Sequence, residues 1–140
     1  MKNLFLADLE GFSESDVKNH IAKEYSNQDQ YEAPNPDEVN KVLKELEDYD
    51  VLIAYESVGN WGCDSSSWFL FKHKKSRQLF EMHGSHCSCY GFEGQFDLEE
   101  TSVEYLKEKI KNDDRIFYCG GYDEKETENQ QAVKQYIWEM

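Results

Sequence analysis

Base is what this chain has least of. Its 140 residues carry 15 lysines and arginines against 29 aspartates and glutamates, a formal charge of −14. A phosphate backbone repels such a molecule, so direct DNA or RNA binding is disfavoured unless a local basic patch overrides the field. Long hydrophobic runs are missing as well. The opening Met1-Lys-Asn-Leu-Phe-Leu-Ala-Asp8 has four consecutive apolar residues before an acid, which suits neither a secretory signal nor a membrane span; a cytoplasmic protein is expected. The eight glycines are scattered, with no Lys-Ser or Lys-Thr at phosphate-loop spacing, and this argues against nucleotide hydrolysis. Proline is confined to Pro34 and Pro36, and there is no internal repeat or low-complexity tract.

What is present suffices for one compact domain. Hydrophobic residues make up 39% and aromatics 14% of the chain, so the polar balance reflects a charged exterior around a real core. The charge is uneven: residues 1–60 carry 14 acids against 5 bases and residues 93–140 carry 13 against 6, whereas residues 61–92 carry 2 against 4. Lys72, Lys74, Lys75 and Arg77 form the one basic patch, and its place between two β-prone runs reads as a solvated hairpin turn.

Local signals order the elements. Ser13-Glu-Ser-Asp16 has the capping-box pattern, with Val17 and Ile21 one turn apart, predicting a helix near 14–25. Asn35 caps and Pro36 opens a second helix that presents Val39, Val42, Leu43 and Leu46 on one face and ends near Asp48. Val51–Tyr55 is a buried strand, hydrophobic on both faces. Ser67–Lys72 and Gln78–Met82 form a hairpin across His73–Arg77, and His86–Tyr90 extends it or adds a strand. Thr101-Ser-Val-Glu104 reads as another capping box, opening a helix with Val103, Leu106 and Ile110 that ends near Asn112. Arg115–Cys119 reads as a strand, and Asp123 caps a final helix with Ala132, Val133, Tyr136 and Ile137 inward. The order predicts one α+β domain over 1–140, with about four mainly antiparallel strands and helices on one face.

The chemistry-bearing residues crowd the middle. Gly59-Asn-Trp-Gly-Cys-Asp-Ser-Ser-Ser-Trp68 and Gly84-Ser-His-Cys-Ser-Cys-Tyr-Gly-Phe-Glu-Gly-Gln95 hold three of the four cysteines and five of the eight glycines. Cys63, His83, His86, Cys87, Cys89 and Cys119 include enough competent donors for zinc, but Cys87-Ser-Cys89 lacks the usual knuckle spacing. His86 beside Cys87 invites a thiol nucleophile, yet neighbours on a strand point to opposite faces. Asp64 with Ser65, Ser66 and Ser67 lacks the Gly-x-Ser-x-Gly elbow of a hydrolase, and these serines suit turns. The expectation is therefore free thiols as small core residues, no cofactor, and no catalysis, with zinc binding or a cysteine-based enzyme as the alternatives. Trp61, Trp68, Tyr90 and Phe92 line either a recognition surface or the core. Glu100, Glu104 and Glu108 recur every four residues, about 6 Å apart along a helix, a spacing close to two nucleotide steps. Like charges so placed disfavour a helix, and Lys107 and Lys111 relieve them partly.

The two central stretches resemble a motif of small, largely uncharacterised proteins of bacteriophages and prophages. The resemblance covers the central third of the chain. It implies a protein acting in the cytoplasm of a bacterial host, of the kind that inhibits host defence or host nucleic-acid enzymes by occupying a basic groove. The expected partner is a host protein with a basic surface, met by Glu100, Glu104, Glu108, Trp61, Tyr90 and Phe92.

Overall fold

A computed structural model describes residues 3–26, 35–57, 65–86, 92–112 and 124–140, with the backbone alone at 65, 86 and 124–127. Ser13 caps α1, Glu14–Tyr25, by accepting from the Asp16 amide, while the Asp16 carboxylate accepts from the Ser13 amide, completing the capping box. Asn35 caps α2, Pro36–Leu46, by accepting from the Asp37 amide at 2.9 Å, with Pro36 in the first turn. Both helices turn their apolar stripes inward: Val17, Ile21, Val42 and Leu46 are buried.

Five strands make one sheet in the order β1-β2-β3-β4-β5. They are β1 Leu4–Ala7, β2 Tyr49–Ser57, β3 Ser65–His73, β4 Leu79–His86 and β5 Glu99–Thr101. β2 to β5 pair antiparallel, and β1 lies parallel to β2 with Leu4 opposite Ile53. Parallel neighbours need a crossover, which α1 and α2 supply. The hairpin turns at 74–76, where Lys74, Lys75 and Arg77 are exposed and His73 Nδ1 accepts from the Lys75 and Ser76 amides. Three of the four basic residues of the patch are thus solvated at the turn, while Lys72 is half-buried on β3.

The α+β class holds, while the layering and strand count differ from the expectation. Helices cover both faces of a five-stranded sheet. On one face α1 and α2 pack on Val51, Ala54, Phe69, Phe71 and Met82. On the other, α3, Val103–Lys111, and α4, Glu124–Trp138, place Leu106, Val133 and Ile137 against Ile53, Tyr55, Trp68 and Leu70. The cause lies in the strands themselves: Trp68 through Phe71 are four consecutive fully buried residues, and alternation sends two to each side. β1 behaves likewise, with Phe5 on the first side and Leu4 and Leu6 on the second. The strand expected at Arg115–Cys119 and the cap at Asp123 lie outside the described residues. Val133 and Ile137 are buried as expected, and Ala132 and Tyr136 are half-buried.

Candidate functional site

The acidic residues singled out above sit where β5 runs into α3. Ser102 caps α3, accepting from the Tyr105 amide at 3.1 Å. Thr101 belongs to β5, opposite Leu79. This overturns the capping box expected from Thr101 to Glu104 and removes Glu100 from the helix. Glu104 and Glu108 stand exposed on α3, one turn apart, while Glu100 lies on the edge strand opposite Phe80. The expected row of three helical carboxylates is therefore a helical pair joined to an acidic strand edge. Glu99, which the four-residue spacing passes over, extends that edge; it pairs directly with Glu81.

The helix tolerates this charge because of what it buries. Leu106 is fully buried, a contribution of roughly 1.5–3 kcal/mol, against about 0.2–0.5 kcal/mol for the repulsion of one like-charge pair a turn apart. The expected relief by lysine takes another form. Lys107 Nζ donates to the Met140 carbonyl at 3.1 Å and lies 5.7 Å from the Trp138 ring centroid. Lys109 Nζ lies 5.4 Å from the centroid of Tyr105. Among the described residues, Glu99, Glu100, Glu104 and Glu108 form no ion pair.

An open groove of about 380 Å³ runs beside β5, lined by Gln78, Glu81, Glu99, Thr101, Tyr105 and Lys109 among others. Glu81 is 5% exposed. Its Oε1 accepts from Trp68 Nε1 at 2.9 Å and lies 3.4 Å from His83 Nε2. Burial works to raise its pKa, but interactions with His83, Thr101 and Trp68 outweigh that and hold the carboxyl below its ordinary 4.5. A carboxylate charged at neutral pH thus faces Glu99, a like-charge cross-strand pair of a kind that destabilises a sheet.

A second buried carboxylate occupies the opposite face. Glu56, 4% exposed, accepts a hydrogen bond from the Tyr25 hydroxyl and is bonded by His20 Nε2 at 2.8 and 2.9 Å. Burial and the Glu56 charge push Tyr25 well above 10. Phe92 stacks on Tyr25 with centroids 4.7 Å apart. Residues His20, Tyr25, Glu56 and Glu81 escaped the sequence reading; an acid interrupting an apolar strand, as Glu81 does between Phe80 and Met82, was the available signal.

The remaining candidates divide by burial. Trp68 is fully buried and Phe92 is 5% exposed, so both belong to the core and Phe92 leaves the recognition surface. Trp61 and Tyr90 lie outside the described residues, as do Asp64 and Cys63, Cys87, Cys89 and Cys119. His83 sits on β4 opposite Trp68 and His86 ends β4 opposite Ser65. Among the described residues, no three His, Cys, Asp or Glu side chains converge as metal ligands. No helix among them is long and apolar enough to cross a membrane. No protein-family model matches the chain, and no curated protein or solved structure matches it significantly.

Proposed function

We propose that this is a non-catalytic binding protein of phage type that masks a basic surface of a host protein with the carboxylates at the junction of β5 and α3. The observation carrying this reading is the absence of any ion pair to Glu99, Glu100, Glu104 and Glu108 among the described residues, although Lys107 and Lys109 share α3 with Glu104 and Glu108. Stability alone favours compensating such a group; a surface kept for a cationic partner leaves it open. The net charge of −14 adds long-range attraction to the same partner.

The test compares the protein with a Glu100→Gln, Glu104→Gln, Glu108→Gln variant in capture from bacterial lysate at low and moderate salt. The expected catch is a basic protein released by salt and missed by the variant. A target held equally well by the variant, indifferent to salt, contradicts the mechanism.

One topological fact supports a zinc module instead. Ser57 pairs with Ser66 and Ser65 with His86, so the segments carrying Cys63 and Cys87-Ser-Cys89 adjoin neighbouring strand ends. Stoichiometric zinc in untagged protein, lost on Cys87→Ser, would favour that reading over ours.

A further inference from the structure

We infer that His20, Glu56 and Tyr25 form a proton-operated latch, which docks the last turn of α1 and residues 92–96 together on the sheet while His20 carries its proton and loosens both when it does not. The inference is independent of the acidic surface. His20 Nε2 lies 2.8 and 2.9 Å from the two Glu56 oxygens, and the Tyr25 hydroxyl donates to the same carboxylate. Phe92 stacks on the Tyr25 ring with centroids 4.7 Å apart. Tyr25 ends α1 and Ser26 caps it, where carbonyls have no helical partner. Residues 92–96 supply one: the Gly94 N–H donates to the Ser26 carbonyl and the Phe96 N–H to that of Tyr25, each at 3.0 Å. On its other side the segment is held to β4, since Gln95 Oε1 accepts from the Ser85 amide at 2.8 Å and Gln95 Nε2 donates to the Ser85 carbonyl at 2.7 Å. That side has no titrating group, so a proton can release only the side facing α1. Gly84, Phe92 and Gln95 all come from the glycine-rich central stretch, and Gly84 leaves the room that a Cβ would take from Tyr25 and Phe92.

His20 is the member that solvent can titrate. Tyr25 is fully buried and Glu56 nearly so, whereas the His20 side chain is 24% exposed beside the edge of Phe12. The charges acting on it are all acidic: Glu56 from β2, Glu24 from its own helix and Asp8 from the turn after β1. Burial works against the imidazolium, but these groups, Glu56 foremost, outweigh it. Tyr25 stays a neutral donor throughout, because burial and the Glu56 charge push it well above 10. The docked state therefore holds the His20 proton more tightly than an undocked one. Docking is strongest below about 6.5 and weakens as pH climbs through the raised folded value.

The experiment follows amide hydrogen exchange of the full chain by NMR from about pH 6 to about pH 8.5, with each rate corrected for the intrinsic pH dependence of exchange. Protection of the Gly94 and Phe96 amides, which report the two bonds to α1, should fall by about threefold or more across that range. Leu106, on the opposite face of the sheet with its amide on the Ser102 carbonyl, should stay level. His20→Gln keeps a donor for Glu56 without a titrating charge, so it should flatten the profiles of Gly94 and Phe96. Tyr25→Phe keeps the ring stack but cuts the link to Glu56; it should lower protection of both amides at the acid end and shrink the slope, and it decides the case alone if His20→Gln does not fold. A flat profile in the parent, or a slope that survives either folded variant unchanged, overturns the latch. So does a slope at Leu106 equal to that at Gly94, which would assign the titration to unfolding of the whole chain.

Discussion

The Tyr25 hydroxyl donates to the Glu56 carboxylate at a buried site that His20 Nε2 also reaches, at 2.8 Å. This ties the last turn of α1 to the end of β2. The same ring is stacked by Phe92 and met edge-on by Phe69, so one side chain links a buried charge to the aromatic core. Removing the hydroxyl in Tyr25→Phe leaves the ring and strips a donor from a buried carboxylate. Urea unfolding should show a loss of about 1–3 kcal/mol. An unchanged midpoint would mean that the bond contributes nothing net.

His20 makes the protein's stability depend on pH. Burial alone would lower its pKa; the hydrogen bond and charge of Glu56, with Glu24 and Asp8, outweigh that and raise it above 6.5. A raised folded value means that the contribution is complete below about 6.5 and is lost as pH climbs through the folded pKa. The difference in stability between the parent and His20→Gln should therefore shrink from mildly acid to mildly alkaline solution. A difference that grows with pH would refute the assignment.

Glu81 works in the opposite direction. Its folded pKa lies below 4.5, so its contribution is present above that value and lost as pH falls through the depressed one. Acid unfolding followed by tryptophan fluorescence should therefore show a weaker dependence below 4.5 in Glu81→Gln than in the parent. Identical acid limbs would exclude Glu81 as a contributor.

Gly84 is constrained by its neighbours. A Cβ there would collide with Ser67 Oγ and lie 3.0 Å from Tyr25 and 3.1 Å from Phe92. Gly84→Ala should cost about 1–3 kcal/mol by overpacking, and Ser67→Ala in the same chain should recover part of it. Additive losses in the double mutant would show that Ser67 is not the obstacle.

Glu108→Gln should trade function for stability. Easing repulsion from Glu104 should stabilise the fold by about 0.2–0.5 kcal/mol in thermal melts, while weakening the basic partner. A destabilised variant would show that Glu108 has a favourable structural role.

The starts of α1 and α2 and the β3–β4 hairpin were legible because their causes are local: Ser13 with Asp16, Asn35 before Pro36, and a short polar turn between apolar runs. β1 was not, because four apolar residues carry no period of their own and become a strand through pairing with residues 53–56. The cap of α3 falls on Ser102, one residue past the expected Thr101. Pairing of Thr101 with Leu79 decided between them, and with it the place of Glu100. The cover on both faces was written in Trp68–Phe71, whose unbroken apolar run leaves no solvent side.

From the sequence alone came the acidic balance, the starts of α1 and α2, the hairpin and the α+β class, since charge, capping and periodicity act between residues close in the chain. The tertiary structure alone decided that Glu56 and Glu81 are buried with partners, that Phe92 is core, and that Glu99 and Tyr105 border one groove. Each depends on which strands become neighbours, and strand pairing is settled by burial across long stretches of chain.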